Sequence, residues 1–421
     1  MSTLFLEPLD VLFLRGNKLF GDPGSYGEAL LPPWPSVAAG ALRSQMLADA
    51  GIDLAAFAKG EISRHPVLGT PENPGSFAVT AFHLARKTDG NVEPLFAPPA
   101  DLILEAPREE TPRREEERGK EKEEDAPPQV RALDPHPAPQ GILTSFPLPR
   151  LPILAQEKRG KPASGYWLTA SGWARYLAGA LPDQKEHWVG SARLWKIDER
   201  IGIGLDAATR SVKAPTRRTA GGCRLDAATR SAKEGNLFSV QAVAFLRDVG
   251  FLAAIEGDGG EAPRSGSLRL GGDGRAAALS AAETTFPETD IAAIARDRRC
   301  RLILSTPGIF EAGWLPTGAI QDGNSGSGGV TFNLHGVRAR LTATAVPRFA
   351  TVSGWDLAKW QPKSAQRAAP TGSVYWLEDI EADEAALKRL IAEGLWETRD
   401  QNPTRRVEGF NRCALAAWRQ E

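Results

Sequence analysis

Two short strand-like runs in the middle of the chain enclose a long basic segment, and this pattern limits the fold most strongly. Residues 200–206 (RIGIGLD), which begin with Arg200, form the first run, and residues 237–240 (LFSV) form the second. The cations between them include Arg210, Lys213, Arg230 and Lys233. Strands joined by a basic tip rich in glycine, threonine and serine predict a β-hairpin finger (residues 200–238) that reaches a polyanion. The alternative is a solvated charged loop, which an isolated basic run also fits.

The tip of the finger contains a tandem duplication. The sequence LDAATRS occurs at residues 205–211 and again at 225–231. Two copies are too few for a solenoid, which needs about three or more stacked units. Exposed loop tips tolerate insertions at a low cost in free energy. We therefore interpret the repeat as a local lengthening of the hairpin tip.

Net charge and hydropathy exclude several classes of protein. The 421-residue chain has a formal charge of -1 at pH 7, so any affinity for nucleic acid must come from a local patch. The finger is such a patch. No basic region precedes an apolar core at the N-terminus, and no apolar run approaches the roughly twenty residues that span a bilayer. We expect a soluble, cytoplasmic protein without membrane contact.

Cysteine usage gives no sign of a metal or redox site. Cys223, Cys300 and Cys413 are too far apart for a C-x-x-C motif. Their odd number and wide separation also argue against a disulfide framework. We expect reduced thiols, and we expect neither a metal ion nor a cofactor.

The beginning of the chain predicts a strand followed by a helix. Residues 3–15 alternate as a strand does, with Pro8 indicating an edge position or a bulge. Residues 37–50 have the apolar spacing of an amphipathic helix, which Ser36 would cap and Gly51 would end.

Later patterns complete an α+β fold. Strands are expected at 77–84 and 99–104, in keeping with the βαββ start of a ferredoxin-like unit. Residues 238–256 have the pattern of two paired strands with a turn at 247–250. Further expected elements are strands at 301–306, 337–346 and 413–418 and a helix at 384–393 that Gly394 ends.

Residues 105–128 form a mixed-charge insert bounded by prolines. Their apolar content is too low to bury a core, so we expect a flexible surface loop. A charged helical spur over 113–124 is the alternative.

Tryptophans and two cationic loops complete the inventory of candidate residues. Trp167, Trp173, Trp188 and Trp195 are expected to anchor a core, with stacking on RNA bases as the alternative. The loop before the strand at 374 contains Trp355, Lys363 and Arg367. Arg275 follows a compact glycine turn that could admit a phosphate or could be an ordinary hairpin turn.

Three stretches together resemble one known family. They are EPLDVLFLRGNKLF with LPPWPSVAAGALRS, then RIGIGLD with TRSAKEGNLFS, and finally GWDLA with APTGSVYWLE. In this order and spacing the chain is similar to the third-subunit family of the type III-B CRISPR Cmr effector complex. That family belongs to the RAMP superfamily, in the branch that holds the 5′ repeat-derived handle of the guide RNA.

The resemblance implies a fold and a set of partners. The fold would comprise two ferredoxin-like (RRM-like) domains and a protruding β-hairpin thumb. The charged, disordered insert that composition predicts has no part in the resemblance. The boundaries we expect are 1–199 for the first domain, which contains the insert at 105–128, 200–238 for the thumb and 239–421 for the second domain. The implied partners are the guide CRISPR RNA, the large polymerase/cyclase-like subunit and the backbone RAMP subunits, and no catalytic activity is implied.

Combining the resemblance with the basic patches gives a predicted RNA interface. Arg15, Lys18 and Arg43 would hold handle phosphates, and thumb cations would brace the RNA where the handle meets the guide. The full predicted set is Arg15, Lys18, Arg43, Arg200, Arg210, Lys213, Arg230, Lys233, Arg275, Trp355, Lys363 and Arg367. Phosphate contacts position a strand, whereas stacking recognises bases, so Trp355 is the candidate for base recognition. Simple core packing of Trp355 is the alternative.

Two other functions remain open at this point. A metal-independent endoribonuclease that processes CRISPR repeat RNA would need a histidine or tyrosine-lysine constellation near a bound phosphate. The five histidines, His65, His83, His136, His187 and His335, are scattered without metal-ligand spacing. A scaffold that contacts only proteins would instead use the finger on acidic partner surfaces.

Overall fold

The protein combines mostly antiparallel sheets with few helices, which confirms the predicted α+β class. The structure is a computed structural model. It describes residues 2–14, 26–27, 29–62, 64–88, 90–106, 127–139, 141, 144, 146–155, 160–203, 237–321, 329–356 and 361–419.

The helices of the described residues begin and end where local chemistry favours it. They are α1 Ser36–Asp49, α2 Leu54–Ala58, α3 Ala170–Leu177, α4 Ile291–Asp297, α5 Glu384–Glu393 and α6 Pro403–Val407, with 3₁₀ turns at Lys185–His187 and Ser191–Arg193. Asp383 caps α5 by accepting from the Ala386 N–H at 2.7 Å, and Gly394 ends it at φ 72°. The helix predicted at 384–393 is thereby confirmed. Ser36 does not cap α1, because it is already the first helical residue and Pro35 precedes it.

The strands are mostly short. In the first half of the chain they are β1 Ser2–Pro8, β2 Tyr26–Gly27, β3 Ala78–Thr88, β4 Asn91–Leu95, β5 Leu102–Glu105, β6 Gln129–Ala132, β7 Asp134–Pro137, β8 Arg150–Ile153, β9 Tyr166–Leu168, β10 Trp188–Gly190 and β11 Trp195–Ile203. In the second half they are β12 Leu237–Phe245, β13 Val249–Glu256, β14 Ser265–Arg269, β15 Ala276–Ala281, β16 Cys300–Leu304, β17 Ala319–Gln321, β18 Val330–Leu334, β19 Val337–Ala345, β20 Ala350–Val352, β21 Trp355–Asp356, β22 Gln361–Pro362, β23 Gln366–Ala368, β24 Val374–Glu381 and β25 Cys413–Ala417.

The first large sheet has six strands in the order β14, β15, β1, β13, β3, β4, and neighbouring strands are antiparallel. β1 lies inside this sheet, so the edge position or bulge inferred from Pro8 is wrong. Pro8 is instead the last residue of β1. Because proline has no backbone N–H, this end position avoids the loss of a hydrogen bond inside the sheet. Leu4 and Leu6 of β1 share one core with Leu42 and Met46 of α1.

The two strands that flank the basic tip pair with each other. β11 and β12 run antiparallel from Trp195 opposite Phe245 to Ile203 opposite Leu237. The pairing inferred for the two halves of 238–256 is wrong, because β12 pairs with β11 and β2 whereas β13 joins the first sheet. The break at 246–248 therefore separates two sheets. The tip itself, with both copies of LDAATRS, lies outside the described residues.

The second large sheet also has six strands, in the order β17, β18, β19, β24, β16, β25. Successive side chains of β24 alternate between two buried faces, as a strand covered on both sides requires. Tyr375 and Leu377 pack with α4 and α5, whereas Val374 and Trp376 pack with α3.

A buried ion pair joins α3, the turn before β5 and the second sheet. Arg301 on β16 donates from Nη1 to Asp101 Oδ2 at 2.8 Å, and both side chains are fully buried. Tyr176 on α3 donates to Asp101 Oδ1 at 2.8 Å, and its ring lies 4.2 Å from the Arg301 guanidinium. Paired and hydrogen-bonded buried charges of this kind fix the relative position of the elements that carry them.

The four tryptophans between residues 167 and 195 are buried, with 5% to 9% of their surface exposed. Trp167 packs edge-on against Trp195, and Trp173 stacks on Phe96 with ring centroids 4.7 Å apart. The core role predicted for these residues is confirmed.

The sheets divide the chain differently from the boundaries 199 and 239. β13, β14 and β15, at residues 249–281, complete the first sheet, and the second sheet begins in sequence with β16. Long-range pairing with β1 decides this division, because a strand pattern alone does not specify its partner.

The charged insert interrupts a short hairpin. β5 and β6 pair from Leu102 opposite Ala132 to Glu105 opposite Gln129, while residues 107–126 lie outside the described part. In the ranges that the structure describes, no helix is long and apolar enough to cross a membrane.

Candidate nucleic-acid interface

Six of the twelve predicted interface residues lie outside the described residues. They are Arg15, Lys18, Arg210, Lys213, Arg230 and Lys233. The other six fall into two clusters and one short β-arm.

The first cluster forms around the ring of Phe13, just after β1. The Arg275 guanidinium lies 5.1 Å from the ring centroid and the Arg200 guanidinium 5.9 Å from it. Arg275 pairs with Asp10 at 2.7 Å, and Arg200 pairs with Asp198 at 2.8 Å. These five residues are the Phe13 cluster. Two cations separated by 75 positions in sequence therefore share one aromatic ring.

Three chain segments meet to build the Phe13 cluster. Leu12 forms a bridge with Val243 of β12, and Phe13 forms a bridge with Gly272 of the glycine turn. The Gly272 N–H donates to the Phe13 carbonyl at 2.9 Å. Gly271 has φ 73°, and a Cβ there would lie 3.1 Å from the Phe13 carbonyl oxygen. The turn therefore needs glycine for its backbone conformation and for close contact with residue 13.

The second cluster forms around the carboxylate of Glu408, directly after α6. Lys363 Nζ lies 3.1 Å from Oε1, and Arg405 Nη1 lies 2.9 Å from Oε2. Arg405 also donates to Gln366 Oε1 at 2.9 Å. The side chains of Arg405 and Glu408 are 6% and 7% exposed, whereas that of Lys363 is 36% exposed.

Arg43 on α1 belongs to the same neighbourhood. Its Nη2 donates to the Leu68 carbonyl at 3.4 Å. Burial lowers the pKa of Arg43, and the negative charge of Glu408 acts in the opposite direction. Glu408, Arg405, Lys363 and Arg43 are the Glu408 cluster, in which the carboxylate pairs with Lys363 and Arg405 and acts on Arg43 through its charge.

The loop that contains Trp355 folds as a narrow antiparallel arm. β20 pairs with β23 and β21 pairs with β22, so the arm comprises residues 349–356 and 361–368. Trp355 is 45% exposed, so the alternative that it packs in the core is wrong. Arg367 lies on the same arm, with its guanidinium 5.0 Å from the ring centroid of Phe349.

The segment 29–35 connects the two clusters. The Leu30 N–H donates to the Leu14 carbonyl at 2.8 Å, one residue after Phe13. Leu30 also packs against a small core that includes Trp34, Val352 and Phe410. This short stretch before α1 therefore contacts the residue after Phe13 and a core that includes Phe410, two residues after Glu408.

Sequence reasoning missed Phe13, Phe349, Arg405 and Glu408. The i, i+3 spacing of Arg405 and Glu408 on a short helix was an available signal. Phe13 had no comparable signal, because an aromatic residue in a strand-like run predicts only burial.

The five histidines, all of which the structure describes, lie in separate places. His65 Nδ1 accepts from the N–H groups of Val67 and Leu68, both at 3.2 Å. His83 is half-buried between Phe96 and Phe286, and desolvation lowers its pKa to about 4. The remaining three are in separate places: His187 Nδ1 accepts from Gln184 N at 3.1 Å, His335 Nε2 lies 3.0 Å from the Gly394 carbonyl, and His136 is exposed on β7.

Metal-ligand groups are likewise missing from the described ranges, where no three His, Cys, Asp or Glu side chains are arranged to hold an ion. Cys300 and Cys413 are buried free thiols, as expected, and burial raises the pKa of each to about 12. Cys223 lies outside the described residues.

Comparison with known proteins gives one family and several structures. A sequence model of the family described as CRISPR-associated protein (Cas_Cmr3) matches residues 4–216 and 213–418. A chain in "Cryo-EM structure of the Type III-B Cmr-beta bound to cognate target RNA and AMPPnP, state 1" is 14% identical with a TM-score of 0.46, over 98% of each chain. A chain in "Cryo-EM structure of the Type III-B Cmr-beta bound to cognate target RNA" is 14% identical with a TM-score of 0.44, over 99% of each chain. The search of curated proteins finds no match.

Proposed function

The chain belongs to the CRISPR-associated Cas_Cmr3 family, and on that premise we propose that it holds the 5′ repeat-derived handle of the guide RNA in a type III-B effector complex. The observation that carries this proposal is the grouping of predicted cations around Phe13 and Glu408. Contacts to phosphates supply most of the affinity of proteins for RNA strands and fix their position.

The Phe13 cluster is suited to exchange its counter-ions for phosphate. Asp10 is 58% exposed and Asp198 is 42% exposed, so both ion pairs are solvated and weak. A guanidinium that faces solvent can leave such a partner and bind a phosphate through two N–H groups. Arg200 and Arg275 are therefore assigned to phosphate contacts.

The Glu408 cluster contributes cations that are held in place. Two cations, Lys363 and Arg405, pair with the one carboxylate of Glu408, which leaves an excess of one positive charge in this group. Lys363 is the exposed member and is assigned to a phosphate contact. Trp355 on the adjoining arm is assigned to stacking on a base, because stacking is compatible with every base and needs an exposed aromatic face.

The strand connections support two ferredoxin-like units. In the first sheet β13 lies between β1 and β3, antiparallel to both, and α1 connects β1 to β3. In the second sheet β24 lies between β16 and β19 in the same way, and α5 connects β24 to β25. Each unit has one of the two helices of the βαββαβ pattern. In sequence, the proposed thumb, with Arg210, Lys213, Arg230 and Lys233, falls in the connection before β13, and the arm falls in the connection before β24.

Membership of the family supports a proposed set of partners and a non-catalytic role. The subunit docks on the large polymerase/cyclase-like subunit and on backbone RAMP subunits, and it binds RNA without cleaving it. Arg15, Lys18 and Arg43 complete the phosphate contacts of the first unit. The partly exposed cations Arg200, Arg275 and Lys363, each held beside a carboxylate, support a binding function.

Salt dependence of RNA binding tests the assignment of Arg200 and Arg275. Each phosphate contact to a single strand contributes about 0.7 to the slope of log K against log salt concentration. Replacing both arginines with alanine should lower the slope by up to about 1.4 and weaken binding. Arg247→Ala is the matched control, since Arg247 is 94% exposed in the turn between β12 and β13.

Three results would contradict different parts of the proposed function. An unchanged slope in the double variant would remove Arg200 and Arg275 from the interface. Affinity purification of the chain from its host without short RNAs that share a 5′ end would reject handle binding. Cleavage of repeat RNA by the isolated chain would overturn the non-catalytic assignment, and His65, His136 and His187 would be the first residues to replace.

A further inference from the structure

We infer that Phe349 and Arg367 form a stacking platform for one unpaired base of the bound RNA, an inference that rests on the proposed function and adds a residue to it. Phe349 was not among the residues that the sequence singled out. Arg367 had been assigned to the interface only as a cation.

The geometry of the pair is fixed by the arm. Thr351 lies opposite Arg367, and Ala350 lies opposite Ala368, so Phe349 and Arg367 are diagonal neighbours across the ladder. The Arg367 guanidinium lies 5.0 Å from the centroid of the Phe349 ring, within the range of a cation–π contact. The exposed fraction of Phe349 is 53%, and Arg367 is also exposed.

The two faces of the arm are different. Val352 and Ala368 are buried, with 0% and 1% exposure, and pack with Trp34, Trp396 and Phe410. Phe349 has an exposed ring in spite of this nearby core. Exposure of a large aromatic side chain leaves apolar surface in water, which folding alone does not favour. A ligand that covers this surface would recover that free energy.

The chemistry of the pair favours RNA as the occupant. RNA bases stack both on aromatic rings and on planar guanidinium groups. A base can therefore lie on the guanidinium of Arg367 or on the exposed ring surface of Phe349. The positive charge attracts the phosphates on either side of that base. Lys363 and Trp355 lie on the same arm, so the platform continues the surface already assigned to RNA. An apolar protein partner would gain nothing from this charge.

The test measures binding of a short single-stranded RNA of mixed sequence to the full chain, with 2-aminopurine as a fluorescent base. Stacking on an aromatic ring is lost in Phe349→Ala, so binding should weaken roughly tenfold. The salt slope should stay unchanged because no phosphate contact is removed. Phe349→Tyr should restore affinity and the quenching of 2-aminopurine, and Arg367→Lys should lower quenching while it preserves charge.

Ile320→Ala is the matched control, since Ile320 is 64% exposed on β17 and is not part of the interface. Unchanged RNA affinity in Phe349→Ala would overturn the platform while the proposed function stands. Loss of partner subunits from the purified complex, with RNA affinity intact, would assign the pair to a protein contact and would also overturn it. If the unsubstituted chain and its complex bind no RNA, the proposed function itself fails.

Discussion

The Phe13 cluster and the Glu408 cluster both hold cations with carboxylates, but they differ in how far those carboxylates are exposed. Asp10 and Asp198 are about half exposed, whereas Glu408 is 7% exposed. The coulombic energy of an ion pair rises as solvent is excluded, and so does the cost of losing one partner. The arginines of the Phe13 cluster can therefore exchange their carboxylate partners for phosphates, whereas the buried pair of Arg405 and Glu408 stays together.

Because of this difference, the two clusters contribute to the proposed RNA surface in different ways. The Glu408 cluster joins α6 and the arm and extends to Arg43 on α1, so its carboxylate stabilises the fold. The Phe13 cluster keeps its guanidiniums oriented on a ring while their counter-ions remain solvated. Three variants test this comparison, in order of decreasing expected effect.

Glu408→Gln should have the largest effect. It removes the charge that neutralises the buried Arg405, so we expect a loss of about 3–5 kcal/mol in the free energy of unfolding. Urea denaturation measures this loss as a lower midpoint concentration of urea, with the dependence of the free energy of unfolding on urea concentration unchanged. Glu378→Gln is the control: Glu378 is 14% exposed but pairs with the more exposed Arg340 and Arg150, and we expect less than about 1 kcal/mol. Equal losses in the two variants would remove the distinction between the clusters.

Phe13→Leu should have an intermediate effect. The smaller side chain loses part of the buried ring and both cation–π contacts, so we expect about 1–2 kcal/mol of destabilisation. RNA affinity should fall a few-fold while the salt slope stays unchanged, because both arginines keep their charges. A change in slope would show that Phe13 does more than orient Arg200 and Arg275.

Asp10→Asn combined with Asp198→Asn should have the smallest effect on folding. Exposed pairs of this kind contribute less than about 1 kcal/mol each. Removal of two negative charges beside Arg200 and Arg275 should instead tighten RNA binding by about two- to fourfold at low salt. Fluorescence anisotropy at several salt concentrations measures this gain. Weaker binding in the double variant would mean that these carboxylates are needed to position the arginines.

Local patterns predicted several elements closely. The helix at 384–393 was predicted to end at Gly394, and a glycine cap acts within one turn of the helix end. The strand at 413–418 corresponds to β25, and the strands that flank the basic tip pair as expected. The core tryptophans followed from their size and hydrophobicity.

Pairings between distant residues were not predictable in the same way. The turn at 247–250 was recognised, but its two strands belong to different sheets. β-strand patterns specify which face is buried and leave the partner open. The missed residue Phe13 has the same explanation, since its role depends on Arg200 and Arg275 from other parts of the chain, and so does the pairing of Glu408 with Lys363.

The sequence by itself determined the α+β class, the family and the choice of basic residues as candidates for an RNA interface. These properties depend on residue type and short spacing. Only the tertiary structure decided which cations are neutralised and how firmly, because Arg275 and Asp10 are 265 positions apart and Lys363 and Glu408 are 45 apart. The strength of an ion pair depends on distance and solvent exposure, and both are properties of the folded chain.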